Sequence, residues 1–348
     1  MSDPTPPSPA TREPERPHEV WIIQPTRRRL WLHVVLLLAT FVTTMAVGAR
    51  IQANFEHRQP TFSLSEDSPF FPVSWITHPS ELLPGLPFSL TLMCILLAHE
   101  MGHYLYSRHY RVYATLPYFV PFPSLIGTLG AFIRIRSPIP SRAALFDIGI
   151  AGPIAGFVPS CIALLVGLSR SVPLAAVTNQ SLEIGLPRAF DVAGRILHIT
   201  TPLSSLSLHP MAVAAWVGLF ATSLNLLPGG QLDGGHITFS ISPALHRGLS
   251  LLTVLALIPL GKYCWTGWLL WSVLLALTMR HPSVPSKPAV RGKRVAIALF
   301  AVMMFALSFT PTPITHSSGR EVWPQLRESA REGLRTLHRD VKRLLHRQ

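Results

Sequence analysis

Residues 88–106 read FSLTLMCILLAHEMGHYLY, an apolar run that carries His99, Glu100 and His103 near its downstream end. Two histidines four apart on a helix share one face and can grip one metal ion, with the intervening glutamate beside it, which is the spacing of a zinc-hydrolase signature. The surroundings sharpen the reading. A carboxylate and two imidazoles in a segment apolar enough to enter lipid cost on the order of a few kcal/mol each unless they are paired or functional. Two buried histidines satisfied by backbone carbonyls would leave Glu100 without a reason to be there.

Composition agrees with a membrane setting. The 348 residues are 48% hydrophobic and 14% charged, with a positive mean hydropathy, too apolar for an ordinary soluble protein. The formal charge of +13 lies beside apolar runs and in the C-terminal tail. Anionic lipid headgroups are its expected partner, and nucleic acid is not. Cys94, Cys161 and Cys264 fall within or at the edges of apolar segments, which argues against a disulfide framework and against thiolate-bound zinc.

Outward from the motif, the chain reads as an all-α polytopic membrane protein of six to seven transmembrane helices. Residues 1–26 are proline-rich and polar, expected to be a disordered tail without a cleavable secretory signal. Arg27–Arg29 precede a first span, Leu30–Gly48, whose start is expected in the cytoplasm. His33 within it reads as an interfacial residue. After an external loop, Pro84 and Pro87 open the second span, so the histidine pair sits near its cytoplasmic end. Gly102 permits close approach of either a helix or the metal. Between Arg108 and Arg142, apolar pieces rich in proline and glycine (LPYFVPF, LIGTLGAFIRI) are too polar overall to span, and Ala131–Arg136 alternates like a strand. A short re-entrant β-like hairpin beside the metal is expected, with an edge able to pair with an extended peptide.

A third span, Leu145–Leu168, carries AGPIAG as small helix contacts, and Asp147 is expected to complement its N-terminus. The fourth, Met211–Leu227, returns to the cytoplasmic side and ends in NLLPGGQLDGGH. Two histidines do not complete a catalytic zinc site, which generally takes three protein ligands. Asp233, at the same predicted depth, is the expected third, with His236 as its rival. Apolar runs at Leu249–Gly261, Trp265–Met279 and Val295–Phe309 follow, then a basic amphipathic tail. Seven full crossings would leave that tail outside, against the positive-inside tendency, so one of the last three runs is open to question. The domain plan is a tail at 1–26, a membrane-embedded catalytic domain at 27–312 with its core at about 82–240, and a second tail at 313–348.

HEMGH in one span, AGPIAG in the next and NLLPGGQLDGG closing the following one resemble the site-2 protease family of intramembrane zinc metalloproteases. That resemblance covers roughly residues 88–236. It implies a three-helix catalytic core, one Zn2+ per chain on His99, His103 and Asp233, and Glu100 as catalytic base. It implies that Asn225 helps hold substrate or oxyanion, and that Gly127, Thr128, Leu129, Gly130, Ala131, Phe132 and Ile133 form a substrate-pairing strand continuing to Ile135. The implied substrate is a transmembrane protein cut within or next to its membrane segment, by an enzyme in the plasma (inner) membrane whose site faces the cytoplasm. No stretch is long and soluble enough for the PDZ domain of many members, so the chain resembles the PDZ-free branch. A metal transporter and a non-catalytic membrane adaptor are the alternatives; neither requires a glutamate beside the histidine pair.

Overall fold

The computed structural model describes residues 30–63, 78–175, 181–286 and 290–315, so the basic tail and the N-terminal 26 residues lie outside it. Among the described residues the helices are α1 (Leu30–Glu56), α2 (Leu86–His109), α3 (Arg142–Ser169), α4 (Arg188–Ile196), α5 (Pro210–Asn225), α6 (Asp233–Ile241), α7 (Pro243–Tyr263), α8 (Gly267–Leu277) and α9 (Lys293–Ser308). Four helical stretches, α1, Pro79–His109, α3 and α7, are long and apolar enough to cross a membrane; α5 and α8 are shorter apolar helices. The chain is thus a mostly helical membrane protein.

Four of the helices start at residues suited to a first turn. Pro87 occupies the first turn of α2, Pro210 that of α5 and Pro243 that of α7, where the missing N–H costs no hydrogen bond. Ser141 caps α3 by accepting from Ala144 N at 3.1 Å, and Ser242 caps α7 through Leu245 N.

The core sits where α2, α3 and α5 meet. Phe88, Leu92, Phe146, Ala212–Ala215 and Leu219 are sealed from solvent there. Small residues set the approach distance. A Cβ on Gly102 would strike the backbone of Ala151 on α3 and the Ala155 side chain, so this glycine serves helix packing.

The chain runs between two levels. At one lie the start of α1, the end of α2, the start of α3 and α6; His33 of α1 donates through Nδ1 to Pro117 O at 3.0 Å and packs on Tyr118, well away from the metal ligands. At the other, Gln59 O accepts from Ser207 Oγ, and β1 (Phe62–Ser63) pairs with β5 (Ser181–Leu182) and β4 (Val172–Pro173) with β6 (Leu206–Ser207). Helix α9 begins at the first level, where Arg294 meets Asp147 of α3. It ends at the second, where Ile314 bridges Ile184. Trp268 at the start of α8 donates to Pro311 O there, so α7 leads away from the first level and α8 returns to it.

The remaining strands form the hairpin between α2 and α3. β2 (Tyr118–Pro121) pairs antiparallel with β3 (Thr128–Phe132), with a register irregularity between Phe119 and Pro121. The expected strand at Ala131–Arg136 is therefore displaced: regular pairing begins at Thr128, and beyond Phe132 it survives as the Ala114–Ile135 bridge. The alternating sequence of that stretch describes its two faces but not where the partner strand ends.

Candidate metal centre and substrate cleft

His99 and His103 project from one face of α2 toward Asp233, the first residue of α6, as the two motifs predicted. His99 Nε2 lies 3.4 Å from Asp233 Oδ2, His103 Nε2 lies 3.3 Å from it, and the two Nε2 atoms are 3.1 Å apart. A tetrahedral zinc ion with ligand bonds of about 2.0–2.1 Å holds its ligand atoms about 3.3 Å from one another. The three donors thus already have the spacing the ion needs, and among the described residues they are the group able to hold a metal. Tautomer chemistry points the same way. His103 Nδ1 donates to Ile148 O at 2.8 Å, which fixes the ring and turns its Nε2 toward the other two donors. A metal-ligating histidine is oriented in this way by a carbonyl behind it.

The cradle under the ligands comes from α3, and the sequence reading missed its role. A Cβ on Gly152 would enter the His103 ring, and one on Gly156 would lie 3.0 Å from His99 Cβ. AGPIAG is therefore a groove for two imidazoles as well as a helix contact. Its signal was the four-residue spacing of Gly152 and Gly156, which repeats that of the histidines.

Glu100 and Asn225 complete the floor. Glu100 lines the same cavity, with its carboxylate receiving the Ile133 N–H. Asn225, the last residue of α5, has Nδ2 3.2 Å from His99 Nε2. His236 lines the cavity too but is turned aside: its Nδ1 meets His281 Nε2 at 2.8 Å, outside the group of three donors.

One cavity of about 880 Å³ opens from this floor. Ala131, Phe132 and Ile133 line one side, continuing to Arg134 and Ile135; Gly127, Thr128, Leu129 and Gly130 do not reach it. Instead Gly127 O accepts from Thr43 Oγ1 at 2.7 Å, docking the hairpin on α1. Thr115 N donates to Arg134 O and Arg136 N to Tyr113 O. Ile135 therefore turns its own N–H and C=O away from the paired strand, and by the two-residue alternation so do Ile133 and Ala131. The edge facing the cavity carries these groups: the Ile133 N–H is taken by Glu100, and the Ile133 carbonyl and the backbone of Ala131 and Ile135 are left facing the cavity.

Asp147 does more than complement a helix end. Arg294 Nη2 and Nε reach its two carboxylate oxygens at 2.7 and 2.8 Å, and the Tyr110 hydroxyl donates to it. This joins the end of α2, the start of α3 and the start of α9.

Apolar helices around a glutamate and a His-His-Asp set spaced for zinc define a class, the membrane zinc metalloproteases. Residues 87–258, about half of the chain, match the model of peptidase family M50. The chain belongs to that family, the site-2 proteases. It is 28% identical over 340 residues to "Probable zinc metalloprotease EGY1, chloroplastic" of Arabidopsis thaliana, covering 90% of this chain and 58% of that protein. The rice (Oryza sativa subsp. japonica) protein of the same name is 28% identical over 90% of this chain and 55% of its own length. "Probable zinc metalloprotease EGY2, chloroplastic" of Arabidopsis thaliana is 30% identical over 67% of this chain and 43% of its own. The chain thus spans somewhat more than half the length of the first two relatives.

Proposed function

We propose that the protein hydrolyses a peptide bond within or next to a transmembrane segment of a membrane-protein substrate. The observation that carries this reading is the 3.1–3.4 Å triangle of His99, His103 and Asp233 with Glu100 at its side, beneath a free strand edge. When bound, zinc lowers the pKa of water toward neutrality and polarises the scissile carbonyl. His99, His103 and Asp233 hold the ion, one per chain. Glu100 takes the proton of the attacking water on its carboxylate and hands it to the leaving amine. Asn225 places its amide N–H at the rim of the site, where the oxyanion develops. A transmembrane helix hides its amides in internal hydrogen bonds, so it must unwind locally. Pairing with the backbone of Ala131 and Ile135 and with the Ile133 carbonyl holds the extended form.

Seven crossings follow if α5, α8 and α9 all span together with the four long helices, and six if one of the three does not. The side bearing the metal is the side of Arg134, Arg136, Arg142, Arg280 and Lys293, so by the positive-inside tendency it faces the compartment where the chain is made. Helix α9 ends at the opposite level, and the basic tail begins there. In this reading residues 27–312 are the protease domain, between tails at 1–26 and 313–348. The relatives' names weigh for a plastid-type membrane and against the plasma membrane.

The test is cleavage of a reporter transmembrane segment by the purified full chain in lipid. Wild type is expected to cut it, chelator to stop cleavage, and Glu100→Gln to abolish cleavage while zinc is retained. Undiminished cleavage by Glu100→Gln would overturn the assignment of the base. Zinc-linked transport without cleavage would return the chain to the transporter class.

A further inference from the structure

A second irregular stretch of the cavity lining has no role in the proposed chemistry. It is formed by residues 281–285, an irregular segment between α8 and α9. This strap is fixed at both ends. Gln231 Nε2 donates to Arg280 O at 3.0 Å, His281 pairs with His236 and stacks on Phe239 with ring centroids 3.9 Å apart, and Arg142 N donates to Pro285 O at 3.1 Å. Between the pins lie Pro282, Ser283 and Val284. Pro282 and Ser283 are exposed, whereas Val284 is half-buried and lines the cavity.

The prolines decide what such a wall can do. A strand placed here with its N–H groups free would be able to add to the open edge at Ala131, Ile133 and Ile135, closing the site against any peptide. Pro282 and Pro285 have no N–H to offer, which removes a ladder donor at two of the five strap positions and makes the strap a poor strand for that edge. It bounds the cleft without filling the edge. A substrate strand pairing with β3 uses one edge of its backbone there, and its side chains are what reach the apolar lining to which Val284 belongs.

We propose that residues 281–285 are the specificity wall of the cleft, with Val284 reading a substrate side chain near the scissile bond and the His236–His281 pair acting as the positioning pin. This rests on the protease reading above. Leu145 and Ile148 of α3 line the same cavity as Val284, so the side chain it selects is apolar. The strap lies outside the three helices that carry the chemistry, and substrate choice can vary there without disturbing the metal.

The test uses the full chain in lipid with a reporter transmembrane segment. A photo-crosslinking residue at position 284 in the Glu100→Gln background is expected to form an adduct next to the scissile bond. The same residue at exposed Leu251 on α7 is expected to form none. In the active chain, Val284→Ala is expected to change the preference between reporters with a large or a small apolar residue at the contacted position by on the order of tenfold. This change should appear in KM, with zinc content unchanged. His281→Ala should blur the same preference and not lower zinc binding. A wild type that cuts the reporter, with no adduct at 284 and unaltered preference in both variants, overturns the strap alone. A wild type that leaves every reporter whole overturns the protease reading and the strap with it.

Discussion

The floor and the walls of the cleft are built on opposite principles. On the floor, each ligand stands on a regular helix, and glycines of a third helix sit where any side chain would collide with the imidazoles. Nothing there can move by an ångström without breaking the 3.1–3.4 Å triangle. The walls are a broken hairpin and a proline-containing strap, with unpaired backbone on one side and no backbone donor at two strap positions on the other. Chemistry needs donors held to a few tenths of an ångström, which packed helices supply. Recognition of an extended peptide needs free hydrogen-bonding groups, and at membrane depth these survive only where they line a cavity.

The largest effects should come from breaking the floor. Replacing His99, His103 or Asp233 by Ala should yield protein without stoichiometric zinc and without cleavage, read by metal analysis and the reporter. Glu100→Gln should keep the metal and lower kcat by about 10²–10⁴-fold, the range expected for removing a general base. A sharper probe is Gly152→Ala, which changes no ligand. Its methyl would occupy the His103 ring, so zinc affinity should fall by on the order of tenfold or more, as for other residues that position ligands. Gly156→Ala, with its nearest contact at 3.0 Å, should lose less. Equal zinc affinity in wild type and Gly152→Ala would show that the cradle has slack the geometry does not suggest.

Those two glycines also mark the boundary of what the sequence discloses. The convergence of His99, His103 and Asp233 was legible because both motifs announce their chemistry and hydropathy fixes their relative depth. The helices α2, α3, α5 and α7 were legible because their apolar runs begin at a proline or serine suited to a first turn. Gly152 and Gly156 looked like ordinary small contacts, since no local pattern says that their neighbours are imidazoles. Asp147 looked like a helix-end charge because Arg294 stands 147 residues away. The strap lies in a proline-containing stretch between two apolar runs, and nothing local marks it as a wall of the cleft. What was hidden in each case is a tertiary partner, and hydrophobic periodicity carries no information about partners. The hairpin's extent was hidden for a different reason: alternation reports two faces of a strand and is silent about which edge is paired.

A milder break belongs to the walls. Gly130 has φ of +99° and open space around its missing side chain. Gly130→Ala therefore meets no neighbour and strains only the backbone, at a cost of about 1 kcal/mol. It should leave zinc binding intact and raise KM for the reporter by reshaping the turn into Ala131. A lowered zinc content in that variant would mean that floor and wall are mechanically coupled, and the contrast between them would weaken.

The smallest effect on zinc and on cleavage is expected at Asp147 and Arg294, which tie α9 to the core beside the floor without touching the three donors. The Asp147 side chain is 14% exposed and that of Arg294 31%, so the partners are not equivalent when orphaned. Arg294→Gln leaves a mostly buried carboxylate with the Tyr110 hydroxyl as its remaining partner, and an uncompensated buried charge is the costly case. Asp147→Asn leaves a guanidinium that can turn toward water and an amide oxygen that still accepts a hydrogen bond. Thermal unfolding in lipid should therefore show a loss of about 1–2 kcal/mol for Arg294→Gln and less than about 1 kcal/mol for Asp147→Asn. The double variant should lose less than the sum of the two, because it leaves no lone charge. Zinc content should match wild type in all three. Asp147 immediately precedes Ile148, whose carbonyl orients His103, so a fall in zinc here would show that the ion pair also sets the ligand's angle and belongs to the floor.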